Sequence, residues 1–206
     1  MEFEEWEPYY EEILAYFAFP REGDEEAARV LASLLSRDDC ADLAALCSGS
    51  TVTVCGNAPC LRDELGRITG SVFAADAAAE VLLHAGIRPD AVFTDLDGAT
   101  DAFLAMNREG AVMVIHAHGD NIPLLRHWVP RFPGPIVGTT QARPFPPLHN
   151  FGGFTDGDRA VFAAHSLGAV RIVFAGFDLD DQDVDYMKRG KLQWARRLLR
   201  LIGYAC

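Results

Sequence analysis

From residue 51 onward the chain alternates short apolar runs with amphipathic stretches. The runs TVTVC (51 to 55), SVFAA (71 to 75), AVFT (91 to 94), AVMVI (111 to 115), PIVG (135 to 138) and AVRIVFA (169 to 175) have the length and composition of buried strands. Helical segments lie between most of them, at 77 to 85, 100 to 108, 121 to 128 and 157 to 167, while the stretch after 138 reads mainly as loop. Strands and helices in alternation predict an α/β fold, Rossmann-like, with a mostly parallel sheet and helices on both faces. Ahead of it, Trp6, Tyr9, Tyr10, Ile13, Leu14 and Phe17 fall at helical spacing within 3 to 18, and Ala27, Val30, Leu31 and Leu34 repeat the pattern within 24 to 36. Residues 1–48 are thus expected to form an N-terminal helical extension and 49–206 the α/β domain. The aromatic stripe at 3 to 17 reads as packing rather than as a binding surface.

In a parallel sheet the carboxyl ends of the strands share one edge, where open α/β sheets bind ligands. Nearly every predicted strand is followed by small or polar residues. The most informative case is AVFTDLDG (91 to 98). Side chains two apart leave the same face of a strand, so Asp95 and Asp97 are expected to converge just past its end. Two close carboxylates repel unless a cation sits between them, and their hard oxygens select Mg²⁺ or Mn²⁺. Metal-assisted phosphate chemistry follows, with a plain Asp-Gly turn as the alternative.

Other clusters add to that edge. HAHGDN (116 to 121) alternates His116, His118 and Asp120, which share a side if the backbone stays extended. GNAPCL (56 to 61) turns into a helix whose free amides suit phosphate, although tight packing explains Gly56 equally well. Thr139, Thr140 and Gln141 suit a heterocycle, a phosphate or a polar turn. Asp76 reads first as a helix N-cap and second as a ligand. In NFGGFTDGDRA (150 to 160), Gly152 and Gly153 let backbone approach a ligand, and Thr155 or Asp156 caps the following helix. The acidic run 175 to 183 reads as solvated charge, with a metal ligand as the alternative.

Composition narrows the classes. A chain of 206 residues with 50% hydrophobic positions builds a substantial core. No apolar run approaches the roughly 18 residues of a membrane span, and the acidic start MEFEEWEPYYEE is unlike a signal peptide. A cytoplasmic protein without a membrane partner is expected. Cys40, Cys47, Cys55, Cys60 and Cys206 show no C-x-x-C spacing, so reduced thiols are expected. The net charge of -12 argues against a nucleic-acid partner. Lys188 and Lys191, the only lysines, are three apart on one helix face and read as a solvated helix end or a phosphate-facing pair.

The order AADAAAEVLLHAGIRPDAVFTDLDG, IHAHGDN, GTTQ, NFGGFTDGDRAVF resembles the archaeal 6-hydroxymethyl-7,8-dihydropterin diphosphokinase family from about residue 51 to the C-terminus. The segment Asp76 to Asp97 also resembles thiamine pyrophosphokinases, with Ala77 where those favour glycine. The resemblance implies transfer of diphosphate from ATP to the pterin hydroxymethyl oxygen with Mg²⁺ required, in methanopterin or folate-type synthesis. The implied partners are ATP and a reduced pterin, with a homo-oligomer allowed. Carried over by position, Asp95, Asp97 and Asp120 become the catalytic, metal and ATP-phosphate candidates. Asp76 matches the family's acidic turn, and Asp156, Asp158 and Arg159 match its later motif. His116, His118, Asn121, Thr139, Thr140, Gln141, Gly152 and Gly153 complete the candidate ligand-binding set. Two enzyme rivals remain. VFTDLDGAT resembles the haloacid-dehalogenase nucleophile motif, but Ala99 replaces its threonine, and HAHGDN approximates a metallohydrolase motif with Asn121 at its last ligand. A non-catalytic nucleotide-binding module is the third alternative.

Overall fold

The structure, a computed structural model, describes residues 1–204; Cys206 lies outside the described residues. In chain order the elements are α1 (Phe3–Phe17), α2 (Arg21–Leu34), α3 (Cys40–Cys47), β1 (Thr51–Cys55), α4 (Leu61–Glu64), β2 (Ser71–Ala75), α5 (Ala78–His84), β3 (Ala91–Thr94), α6 (Asp101–Arg108), β4 (Val112–Ala117), α7 (Ile122–Trp128), β5 (Ile136–Thr140), β6 (Leu148–His149), α8 (Asp156–Ser166), β7 (Arg171–Ala175) and α9 (Tyr186–Leu201). The strands form a single sheet in the order β6-β5-β4-β3-β2-β1-β7. Every neighbouring pair is parallel.

The central strands β2, β3 and β4 are buried on both sides because both faces of the sheet are covered. Val52, Val54, Phe73, Phe93, Val112 and Val114 pack with α3 and α8 on one face. Their neighbours Val72, Ala74, Val92, Met113 and Ile115 pack with α2, α5, α6 and α7 on the other. From β1 to β5 the chain steps one strand at a time in one direction, so right-handed crossovers place α4 to α7 on a single face. The return from β6 to β7 crosses the whole sheet the other way, which sends α8 over the opposite face. Ala160, Val161, Phe162, Ala163 and Ala164 of α8 are buried there, four of the five small enough to bring the helix close to the sheet.

The N-terminal helices bridge the two faces. Phe3, Trp6, Tyr10, Ile13 and Leu14 of α1 pack with Phe154, Phe162, Trp194 and Leu198, so the aromatic stripe is core. Helix α2 packs instead against α7, β4 and β5 on the other face, and the turn between α1 and α2 therefore crosses the carboxyl edge of the sheet. Pro20 at the N-cap, with φ -79°, starts α2 at Arg21 rather than at 24.

Three further differences from the sequence pattern have physical causes. Helix α3 was not expected; its CADLAALC sequence mixes apolar residues around the helix and buries only Leu43 and Cys47. Strand β6 interrupts the expected loop with a pair of residues against Gly138 and Thr139. Strands β4 and β5 run on to Ala117 and Thr140, carrying His116 and Thr139 within the ladder. Cys40, Cys47, Cys55 and Cys60 are free thiols, and burial pushes Cys47 and Cys55 up to about 12. Among the described residues no helix is long and apolar enough to cross a membrane.

Candidate active site

Strands β1 and β7 are neighbours whose onward chains leave toward opposite faces, and such a divergence opens a crevice at the carboxyl edge. A cavity of about 660 Å³ lies there, bordered by the ends of β1, β2, β3, β4, β5 and β7 and by α8, α9 and the α1–α2 turn. Glycine is required where the β1 and β7 exits touch. A Cβ on Gly56 or on Gly176 would meet the other's carbonyl oxygen. The amides of Gly56 and Ala58 are spent on Ala175 and Gly176 carbonyls, and α4 has only four residues, so this turn offers fewer free amides than the sequence suggests.

The two aspartates after β3 meet differently from the expected strand alternation. The strand ends at Thr94, and Leu96 takes a left-handed φ of 74°. The turn folds the Asp97 N–H back onto Asp95 Oδ1 at 3.1 Å. Thr94 Oγ1 accepts from the Leu96 N–H and donates to Asp76 Oδ1, each at 2.8 Å. Asp76 is therefore not the expected helix cap; Ala77 holds the N-cap position, and Asp76, at φ 44°, turns its carboxylate toward β3. Any Cβ at residue 98 would collide with that carboxylate, which explains Gly98.

Asp76, Asp95 and Asp156 each present a carboxylate oxygen within 4.8 Å of the other two. That is a suitable grip for one hard divalent cation. Asp97 lines the same cavity outside this trio. Asp120 also lines it, but its side chain is 90% exposed and meets His118 Nδ1 at 2.7 Å. His118 bridges to Asp95, with Nε2 3.2 Å from Oδ2.

Crowding sets the charge states. Burial alone would raise Asp95, but hydrogen bonds from His118 and the Asp97 amide, with the charges of His118 and Arg159, hold it below the ordinary carboxylate range. Burial and repulsion from Asp95 push Asp97 up to about 6, against the pull of Lys191. Burial, then Asp95, raise Asp156 well above its ordinary value, while Arg159 pulls it back. Asp76 is raised by burial and by Asp95 despite its bond from Thr94.

The remaining candidates divide into cavity wall and support. Arg159 and Gln141 line the cavity, and Arg159 donates to Asp156 Oδ1 at 3.4 Å and to Gln141 Oε1 at 3.3 Å. Asn121 is buried and braces the strand ends, donating to the Asp95 and His116 carbonyls at 2.8 and 2.7 Å. His116, Thr139, Thr140, Gly152 and Gly153 surround a small void behind the cavity. Thr139 Oγ1 lies 3.1 Å from His116 Nδ1, and burial keeps His116 well below its usual value, hence neutral. Gly153, at φ 90°, lies so close to Arg159 that a Cβ would meet that residue's backbone. Asp158 is fully buried and accepts from the Phe154 N–H and from Thr155 N–H and Oγ1, forming the capping box that starts α8.

Sequence reasoning missed the wall supplied by the N-terminal helices: Phe19, Pro20, Gly23 and Asp24. Asp24 is 4% exposed and receives Tyr10 Oη at 2.6 Å, Gln141 Nε2 at 2.7 Å and the Gly119 N–H at 2.9 Å. An acidic residue inside an apolar helix face was the available signal.

A parallel sheet covered on both faces, with carboxylates crowded at its carboxyl edge, is the framework of an α/β enzyme acting on phosphorylated ligands. The family is specific. This chain belongs to the family described as 6-hydroxymethylpterin diphosphokinase MptE-like, which matches residues 26–184. A 6-hydroxymethyl-7,8-dihydropterin pyrophosphokinase of Methanothermobacter thermautotrophicus is 42% identical over 219 residues, 97% of this chain and 94% of that one. Its counterparts in Pyrococcus furiosus and Methanocaldococcus jannaschii are 39% and 31% identical, over 97% and 98% of this chain and 93% and 96% of theirs. Among solved structures, a MAf glycosyltransferase from Magnetospirillum magneticum AMB-1 is similar at TM-score 0.47 and 18% identity, over 78% of this chain and 29% of that chain, too distant to bear on function.

Proposed function

We propose that this chain transfers the terminal diphosphate of ATP to the hydroxymethyl oxygen of 6-hydroxymethyl-7,8-dihydropterin, releasing AMP. Family membership supports the reaction, and one observation carries its placement here: Asp76, Asp95 and Asp156 converge inside the cavity at the sheet's carboxyl edge. The trio fits Mg²⁺, because three carboxylates can hold ionised oxygens this close only with positive charge between them. When bound, Mg²⁺ supplies charge neutralisation for the phosphate oxygens. The chain does the rest by position.

His118 fixes the Asp95 carboxylate, Thr94 fixes Asp76, and Arg159 fixes Asp156, so each oxygen is aimed before a ligand arrives. Phe19, Phe154 and Phe177 provide aromatic wall for a flat heterocycle. In the transfer, the pterin hydroxyl oxygen bonds to the β-phosphorus as the bond from that phosphorus to the oxygen bridging the α-phosphorus breaks. AMP leaves with that oxygen, and the hydroxyl proton passes to solvent. Such a reaction depends on positioning and electrostatics more than on a strong base.

The rivals fit less well. A phosphatase nucleophile must be free to attack, whereas Asp95 is held by His118 and the Asp97 amide. A metallohydrolase set from HAHGDN is broken up, because His116 is buried on Thr139 and Asn121 turns inward. Chromatography of purified protein with ATP, Mg²⁺ and the reduced pterin is expected to show AMP and pterin diphosphate in equal amounts, neither forming without metal. ADP with a pterin monophosphate, or free phosphate alone, would overturn the proposal. AMP formed with thiamine and not with the pterin would overturn the substrate.

Acid should weaken the cation site early. Metal binds the ionised carboxylates, and Asp76 and Asp156 hold protons more tightly than ordinary aspartates. Mn²⁺ affinity followed by electron paramagnetic resonance is therefore expected to decline at a pH above the range near ~4 where ordinary carboxylates titrate. An affinity that stays flat until that ordinary range is reached would show that the trio is not the binding site.

A further inference from the structure

We propose that Lys188 and Lys191, on the wall of the cavity that also holds the carboxylates, form a binding subsite for the β- and γ-phosphates of the nucleotide. The inference rests on the diphosphokinase reading and adds a ligand contact to it. The chain carries 30 acidic residues and only these two lysines, and both line the cavity. Their placement on α9 is fixed by packing. Gly190 and Trp194 are buried, and a Cβ at Gly190 would press on the rings of Tyr16 and Phe17 of α1, so that side of α9 is pinned. Residues 188, 191 and 192 share the other side, one above the next, and all three face the cavity.

Among the described residues neither lysine lies in an ion pair, whereas the neighbouring Arg196 pairs with Asp180 and Arg197 with Glu12. The solvated acidic loop before α9 therefore does not account for them. Lys188 is exposed and Lys191 partly buried, so each ammonium can reach a ligand without breaking an existing bond. The first turn of α9 adds the positive end of a helix of 16 residues.

The electrostatic case is one of balance. Asp76, Asp95, Asp97 and Asp156 repel a polyphosphate, and one divalent ion on their side neutralises only part of that charge. Compact ammonium groups on the same cavity bind phosphate oxygens as point charges and tolerate a group that moves from donor to acceptor. A contact that follows the moving diphosphate differs from one that holds the nucleoside end. It should distinguish ATP and inorganic pyrophosphate from AMP.

Titration calorimetry of ATP, pyrophosphate and AMP, each with Mg²⁺, tests this on the intact chain and on Lys188→Met, Lys191→Met and the double variant. Each substitution is expected to weaken ATP and pyrophosphate roughly tenfold, the double variant by about a hundredfold, with AMP unaffected. Lys188→Arg and Lys191→Arg are expected to keep most of the affinity, showing that charge matters rather than helix packing. Unchanged ATP and pyrophosphate binding, or an equal loss for AMP, would overturn the subsite. The two readings fail separately. Wild-type protein that binds pyrophosphate through the lysines yet makes no pterin diphosphate supports the subsite and removes the diphosphokinase assignment. Wild-type turnover, with the double variant unchanged in both KM for ATP and kcat, removes the subsite alone.

Discussion

Asp95→Asn and Asp156→Asn are both expected to lower kcat/KM for diphosphate transfer by about 10²–10³-fold, while moving thermal stability in opposite directions. The shared loss follows from their membership of one carboxylate trio. The opposite stabilities follow from their surroundings. Asp95 is favoured as an anion by His118, the Asp97 amide and Arg159, so removing its charge discards net attraction and lowers the melting temperature. Burial and repulsion from Asp95 disfavour the Asp156 carboxylate, so neutral asparagine relieves the metal-free protein and raises the melting temperature by a few degrees. Melting curves in chelator, beside steady-state kinetics, check both halves. If both variants turned over normally, the trio would have no part in the reaction; if both melted lower, the charge description of Asp156 would be wrong.

Asp24→Ala is expected to cost about 3 kcal/mol or more, because it strands three donors at once. Buried Tyr10 Oη and Gln141 Nε2 would lose their shared acceptor, and the Gly119 amide would lose its partner at the cavity wall. For a chain of this size each kcal/mol is roughly 2–4 °C, so a fall of about 6–12 °C is expected. Asp24→Asn keeps one acceptor oxygen and should lose roughly half as much. The cavity should respond too, since Gly119 and Gln141 line it, and hydrogen exchange at the Gly119 amide should accelerate. A melting point within a degree or two of wild type would show that water replaces the carboxylate and that α2 does not brace the site.

Legibility in the sequence followed how local each feature is. Strands β1, β2 and β3 match the apolar runs end for end, because each run stops where the ladder stops. Strands β4 and β5 outlast theirs. His116 and Thr139 read as polar punctuation, yet Thr139 Oγ1 donates to the Ile115 carbonyl and meets the His116 ring, so polar side chains are satisfied inside the sheet and the strands continue. Strand order was not legible, since nothing local shows that the last strand returns to lie beside the first.

In the site, Asp95 was visible at a strand end, but Asp156 and Asp158 looked alike. The Thr155-x-x-Asp158 spacing separates them once read as a capping box, because it commits Asp158 to backbone amides and leaves Asp156 toward the cavity. Asp24 showed only as an acidic residue on an apolar helix face, and its partners Gly119 and Gln141 stand 95 and 117 residues away, so what it braces could not be read locally.

The strap that α1 and α2 throw across the sheet edge also dictates when the protein can finish folding. Trp6 donates to the carbonyl of Gln141, 135 residues on, and Glu12 pairs with Arg197, 185 residues on. Contacts of that span close late, after large loops have already been ordered at an entropic cost. On the ribosome, Trp6, Tyr10 and Ile13 emerge long before α8, β7 and α9 exist to cover them, and they wait as an exposed aromatic surface. The cavity at the sheet edge and the shield over that surface are therefore completed by the same late closure, so a stalled nascent chain would lack the cavity and expose an adhesive surface.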